Sequence, residues 1–282
     1  MNKEQLWPII ESAIEEDVGH GDVTSMWILP ANVISRGTLV AKSAGVLAGI
    51  QVVEQVFNRV NPLIAFVPLK SDGQTIEADD ELATVVGPAV SVFTAERTAL
   101  NFVQRMSGIA TLTRQYVEAV QGTNAIILST RQTAPGLRVI DQQAVQIGGG
   151  GIHRTQLDDM VFIRDSHIAI TGSITAAMKQ ARQRNTDLQI MVQVQTWEEL
   201  DEALPLAPDR ITLDGMSVQD IQDAVKWVAG RVPLEVAGPI TLDNVRAIAE
   251  TGIDYISVAS LTQWIKPLYI SLRMEKSQIF AD

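Results

Sequence analysis

The pattern of hydrophobic and polar positions changes character half-way along the chain. Leu6, Ile9, Ile10, Ala13 and Ile14 recur at helical spacing, with Pro8 tolerable in a first turn, which predicts a short amphipathic helix ending at Gly19-His20-Gly21. Apolar runs broken by Gly and Asp follow at Thr38 to Lys42, Val46 to Ala48, Ile64 to Leu69 and Leu82 to Val86. These read as strands, with Ile50 to Val60 a helix among them. The mixed order suggests an α+β unit. Thr94 to Val120 is then predicted as a long helical region, interrupted near Ser107-Gly108.

The second half is regular. Short β-rich runs stand at Ala125 to Leu128, Met160 to Ile163, Ile190 to Val194, Ile211 to Leu213, Leu234 to Val236 and Tyr255 to Val258. Helical patterns lie between them, as at Trp197 to Leu204, Val218 to Val228 and Leu242 to Glu250. Six strand-then-helix units imply parallel strands with right-handed crossovers, in a closed barrel or an open doubly wound sheet. The later units repeat at about twenty residues, an interval suited to a ring of equivalent units, which favours the barrel. No GxGxxG follows the first strand of this half, which weakens a dinucleotide-binding reading.

Composition narrows the class. The 282 residues can bury one large core or two modest ones, and 20% charged with 46% hydrophobic residues is not the balance of a disordered chain. Without cysteine there is no disulfide framework, thiolate zinc site or cysteine nucleophile, so metal chemistry would rest on carboxylates or on His20, His153 and His167. The formal charge of −11 argues against nucleic-acid binding, which needs a basic face. The opening MNKEQLWPIIESAIEEDVG carries acids inside its apolar run, unlike a signal peptide, and no apolar run approaches the roughly 20 residues of a membrane span. A soluble, cytoplasmic protein is expected, with no membrane partner.

In parallel α/β barrels the reactive groups sit where strand ends converge on one mouth. Here those ends read Thr130-Arg131-Gln132, Arg164-Asp165-Ser166-His167, Gln193-Val194-Gln195, Asp214-Gly215, Ala237-Gly238-Pro239 and Ala259-Ser260, with Gln263 just beyond. Gly148 to Gly151 reads as a flexible loop ending in His153 and Arg154. Taken singly, each is ordinary: His153 and His167 as structural histidines, Asp214 as a cap for the helix opening near Ser217. Their recurrence at one place in six consecutive units favours function. Arg131, Arg154 and Arg164 around one mouth would form a positive well, and their planar forks suit a small carboxylate- or phosphate-bearing molecule.

Several strings together resemble a known family. They are Glu16-Asp17-Val18-Gly19 with Gly21-Asp22-Val23-Thr24, Ala95 to Phe102, Ser107 to Thr111, Thr130-Arg131 with Pro135 to Arg138, Gly148 to Arg154, Leu213-Asp214, Tyr255-Ile256-Ser257 and Ser271-Leu272. In order over nearly the whole chain, they resemble quinolinate phosphoribosyltransferase. The resemblance implies an N-terminal α/β sandwich over residues 1–108, to which 270–282 return, and an incomplete parallel α/β barrel over 109–269. It implies a head-to-tail homodimer in which Arg97 joins Arg131, His153, Arg154 and Arg164 of the neighbour around the carboxylates of a pyridine dicarboxylate. The cosubstrate would be phosphoribosyl pyrophosphate with magnesium. Thr130 and Gln132 fall in the substrate-binding set, the Gln193 and Asp214 positions serve ribose and metal, with Asp214 the metal residue, and amides near Ala237 to Pro239 and Ala259-Ser260 take the 5'-phosphate. The activity implied is formation of nicotinate mononucleotide, carbon dioxide and pyrophosphate, in NAD biosynthesis.

The chain departs from the family pattern at particular places. Gln132 and Arg164 stand where lysine is usual, Gln193 where glutamate is, Ala237-Gly238-Pro239 where Ser-Gly-Gly is, and Gln263 where histidine is. Ser166 and Gly215 replace asparagine, and Tyr269 replaces aspartate. Gln132 loses a cation, Gln193 a carboxylate, and Pro239 a backbone N–H. The acid-binding arginines therefore survive better than the phosphoribosyl and metal contacts. A paralogue acting on another anionic acceptor, or a catalytically silent metabolite-binding homologue, is the alternative expectation.

Overall fold

The computed structural model describes residues 3–30, 32–184 and 187–275. It divides into two compact units, one taking the chain up to Arg114, Ala134–Gly149 and the stretch from Trp264 onward, the other Gln115–Thr133 and Gly150–Gln263.

The first unit opens with helices α1 (Lys3–Val18) and α2 (Val23–Ile28). The Asp22 carboxylate starts α2 by accepting the Ser25 N–H at 3.0 Å. Strands β1 (Ile34–Ala41) and β2 (Gly45–Val46), helix α3 (Ile50–Val60), and strands β3 (Ala65–Pro68), β4 (Thr75–Ile76) and β5 (Glu81–Pro88) follow. The main sheet is antiparallel in the order β13-β1-β5-β3, where β13 (Ile270–Met274) brings a distant part of the chain against β1. Helix α3 buries Ile50, Val52, Val53, Val56 and Phe57, the apolar stripe that its spacing announced.

The expected interruption near Ser107-Gly108 is absent. Helix α4 runs unbroken from Ala89 to Ala119. Gly108 serves packing, because a Cβ there would collide with the Lys266 carbonyl oxygen. Ser107, fully buried, uses its hydroxyl on both polar groups of Ala48, accepting its N–H at 2.9 Å and donating to its carbonyl at 3.1 Å. After β6 (Ile126–Ser129), α5 (Arg138–Gly148) returns to this unit, where Arg105 of α4 grips its buried Asp141 with two bonds of 2.8 Å.

The second unit is built on a sheet of seven parallel strands that curls into an incomplete barrel. After β6 come β7 (Gly151–Ile152), β8 (Val161–Ile163), helices α6 (Asp165–Thr171) and α7 (Ile174–Arg184), β9 (Ile190–Val194), α8 (Trp197–Ala203), β10 (Arg210–Asp214), α9 (Val218–Val228), β11 (Leu234–Ala237), α10 (Val245–Ala249), β12 (Tyr255–Ser257) and α11 (Ser260–Gln263). The spatial order is β7-β6-β12-β11-β10-β9-β8. Each of the six strands read from the sequence is present, and β7 is an addition. It arises from the glycine run, read as a flexible loop, whose two ends belong to a helix and a strand. Gly148 closes α5, where a Cβ would come within 2.6 Å of both the Ala110 carbonyl and the Thr113 side chain. Gly149 takes the left-handed cap position at φ +99, and Gly151 enters the sheet.

Candidate active site

Parallel strands send alternate side chains to the inner face and end on one rim. At that rim a cavity of about 510 Å³ opens within the second unit. Its cationic side is made of Arg131, just after β6, Arg154, just after β7, and Arg164, just after β8. The loop after β6 is pinned: the Thr130 hydroxyl accepts the Gln132 N–H at 3.2 Å, and the Gln132 carbonyl accepts the Thr262 hydroxyl at 2.8 Å. Arg154 lies 5.3 Å over the Phe162 ring and donates to the Met160 carbonyl at 3.2 Å. Burial, then Arg131, and more weakly Arg164, lower the Arg154 guanidinium from its ordinary range, against Asp159. It remains charged at neutral pH, and the mutual repulsion of three guanidinium groups is what an arriving anion relieves. His167 has a structural part, its Nδ1 accepting the Arg164 N–H at 3.0 Å where α6 begins.

Beneath the arginines lies a polar floor. Glu235, 1% exposed, accepts from the Ser257 hydroxyl at 2.6 Å and from Arg210 at 2.9 Å, and its Oε1 is 3.4 Å from His153 Nε2. Burial alone pushes the Glu235 carboxyl up, but the bond and charge of His153, with Ser257 and Arg210, outweigh it and hold the group below the usual carboxylate range. Arg210 is held in turn against the Tyr255 ring at 3.9 Å. His153 also tilts against Phe162, ring centroids 5.4 Å apart. Its imidazole is thus fixed from two sides with Nε2 directed at a carboxylate.

At the rim of β10, Asp214 Oδ2 accepts from Gln193 Nε2 at 2.6 Å and from Gln195 Nε2 at 3.3 Å. Asp214 is not a helix cap, since Ser217 caps α9 through its bond with the Asp220 N–H. This donor set builds no all-protein cage for magnesium. Magnesium wants oxygen ligands and is usually held by one or two carboxylates. Here Asp214 and the buried Glu235 are the carboxylates lining the cavity, two amides meet Asp214 Oδ2, and no group of three His, Asp or Glu suited to a metal occurs among the described residues.

Of the residues singled out from the sequence, Thr130, Arg131, Gln132, His153, Arg154, Arg164, Gln193, Asp214, Ala237, Gly238 and Ala259 line this cavity. Four do not. Arg97 is exposed on α4 of the first unit, and Gln263 is exposed on α11. The Ser260 hydroxyl pairs with the Tyr116 hydroxyl at 3.3 Å, and Pro239 lines a smaller neighbouring cavity with Gly215 and Ile240. Conversely Phe162, Thr212, Glu235 and Ser257 line the main cavity without having been expected to bind substrate. Each stands two positions before a residue that was, on the same face of its strand by the period of two.

A parallel half-barrel with arginines from three successive strand ends around one concave site defines an anion-handling barrel enzyme. Comparison with known proteins gives the family. Residues 22–107 match the N-terminal domain, and residues 109–273 the C-terminal domain, of quinolinate phosphoribosyl transferase. The chain belongs to that family. It is 39% identical over 290 residues to a chloroplastic nicotinate-nucleotide pyrophosphorylase [carboxylating] of Oryza sativa subsp. japonica, covering 96% of this chain and 78% of the relative. A probable nicotinate-nucleotide pyrophosphorylase [carboxylating] of Bacillus subtilis is 36% identical over 273 residues, covering 96% and 94%. Among solved structures, the nicotinate-nucleotide pyrophosphorylase of Francisella tularensis superposes with a TM-score of 0.93 at 33% identity, covering 98% of each chain. That of Ehrlichia chaffeensis gives 0.92 at 38%, covering 95% and 98%.

Proposed function

We propose that the protein is a pentosyltransferase of the nicotinate-nucleotide pyrophosphorylase (carboxylating) type, joining quinolinate to the ribosyl group of phosphoribosyl pyrophosphate. The observation that carries this is the cationic side of the cavity, Arg131, Arg154 and Arg164 with His153 below, which suits a molecule bearing two carboxylates. The pyridine nitrogen attacks the anomeric carbon as the carbon–oxygen bond to pyrophosphate breaks with its electron pair. Ring nitrogen becomes cationic, and the adjacent carboxylate leaves as carbon dioxide, its electron pair held by that ring until a proton replaces it. Arg131, Arg154 and Arg164 orient the acid, and His153, held by Glu235, fixes its inner edge. Little proton transfer is needed, so positioning and preorganised charge carry the acceleration. No step is assigned to magnesium.

The reading extends to assembly and place. Arg97, exposed on α4, completes the cavity of a second copy in a head-to-tail homodimer, and the protein acts in the cytoplasm. No helix among the described residues is long and apolar enough to cross a membrane. The experiment is to incubate the purified protein with quinolinate, phosphoribosyl pyrophosphate and magnesium and to follow nicotinate mononucleotide by mass. Product at catalytic turnover supports the proposal. Calorimetric binding of quinolinate with no product at high protein concentration refutes it in favour of a silent homologue or one with another acceptor. Sedimentation showing a monomer at micromolar concentration would remove the role of Arg97.

A further inference from the structure

Thr212 occupies the middle of β10, is 1% exposed and is one of the residues lining the main cavity, and its buried hydroxyl oxygen has no hydrogen-bond partner in the structure. Buried hydroxyls are as a rule paired, and one that is not, at the wall of a binding cavity, points to a partner that arrives with the ligand. Its neighbours do not meet the need. In the sheet register Thr212 stands beside Gln193 of β9 and Glu235 of β11. Gln193 gives its amide to Asp214, and the Glu235 oxygens accept from Ser257, Arg210 and His153. A β-branched side chain on a pleated strand has few rotamers, so the hydroxyl cannot swing far to find another partner.

We propose that Thr212 is a substrate-contacting, specificity-determining residue, whose hydroxyl hydrogen-bonds the aromatic acid bound in the cavity. This rests on the function proposed above. The choice of the acid over the ribosyl donor comes from depth. Thr212 lies one inner-face position below Asp214, in the same row as Glu235, and Glu235 is the partner of His153. The floor at that level is therefore the floor under the acid. Glu235 there is saturated and anionic, so the uncharged hydroxyl is the group that donates to a carboxylate oxygen, or meets a polar ring atom, without repelling it. The arginines supply charge, and Thr212 supplies a directional contact that fixes how deep and in which orientation the ring sits.

The test compares Thr212→Val, which keeps the shape and deletes the hydroxyl, with Thr212→Ser, which keeps the hydroxyl. Quinolinate binding is measured by calorimetry, and KM for each substrate by steady-state kinetics. Thr212→Val is expected to raise the quinolinate Kd and KM about tenfold, the effect of one hydrogen bond to a charged ligand, with the phosphoribosyl pyrophosphate KM within about twofold. Thr212→Ser stays within about threefold of wild type. Ligand-free Thr212→Val melts no lower than wild type, since it loses no bond made inside the protein, which separates a ligand contact from a structural one. Unchanged quinolinate binding in Thr212→Val, or an effect confined to phosphoribosyl pyrophosphate, overturns the inference while wild-type turnover leaves the proposed function standing. A wild-type protein that neither binds quinolinate nor forms product defeats both.

Discussion

Replacing Glu235 by glutamine probes the buried floor with the smallest change of shape. One oxygen now accepts from Ser257 and faces His153, the other accepts from Arg210, so every direction around the carboxylate holds a donor. Glutamine must turn its NH2 to one side. Facing Arg210, it sets donor against donor on a guanidinium whose side chain is 16% exposed. Facing the other way, it obliges Ser257 to accept and His153 to present an unprotonated Nε2. Losing one member of a buried ion pair outright costs about 3–5 kcal/mol. The retained amide carbonyl recovers part of this, so we expect about 2–3 kcal/mol at pH 7, or roughly 3–5 °C in Tm for a chain of this size. The pH dependence has a definite sign. Because the Glu235 carboxyl is held below its ordinary 4.5, its contribution is complete above about pH 4.5 and is lost as pH falls through the lower folded value. Urea unfolding of both proteins at pH 7 and at stepwise lower pH should therefore show a gap that closes under acid. A gap below about 0.5 kcal/mol at pH 7, or one that persists undiminished into acid, would refute the assignment of the floor as an ion-paired network.

Three further outcomes follow from the geometry. Gln193→Glu places a second carboxylate beside Asp214 Oδ2, where the amide now sits at 2.6 Å, and should create a magnesium-dependent rise in Tm that wild type lacks; equal shifts in the two proteins would contradict the account of the rim. Arg164→Ala should weaken quinolinate binding about tenfold or more by calorimetry with little change in Tm, since Arg164 is exposed at the cavity wall. Gly108→Ala should destabilise the protein in chemical unfolding by several kcal/mol, although alanine favours helix over glycine by about 1 kcal/mol, because its Cβ would strike the Lys266 carbonyl.

The strands of the second unit were legible because their apolar runs are short, β-rich and evenly spaced, and Ile190–Val194 and the helix Ile50–Val60 fall where the pattern puts them. Glycine misled twice for one physical reason. At Gly108 and in the Gly148 to Gly151 run, the missing side chain answers to close approach by another segment, which local sequence cannot show. The cationic rim was readable because arginines recur just after strand ends. The floor was not, since Thr212, Glu235, Ser257 and Phe162 sit inside apolar runs. Stepping back two residues from Arg164, Asp214, Ala237 and Ala259 at the strand ends, as the pleat requires, would have found all four. Arg210, which neutralises Glu235 from β10, lies four residues before Asp214 and obeys the same rule.

In the sheet of the first unit, Ala41 faces Ile270 and Gly37 faces Met274. A ribosome making this chain would release β1, β3 and β5 long before the strand that borders β1 leaves the exit tunnel. Until then the β1 edge stays open, with its backbone N–H and C=O groups available to any extended segment nearby. The nascent protein would thus carry an unsealed sheet through synthesis of the entire half-barrel, and long-range pairings of this kind are slow to form. Truncation ahead of Ile270 would leave the half-barrel strands intact in sequence yet release a first unit with an adhesive edge, so aggregation rather than loss of the cavity would be its first symptom.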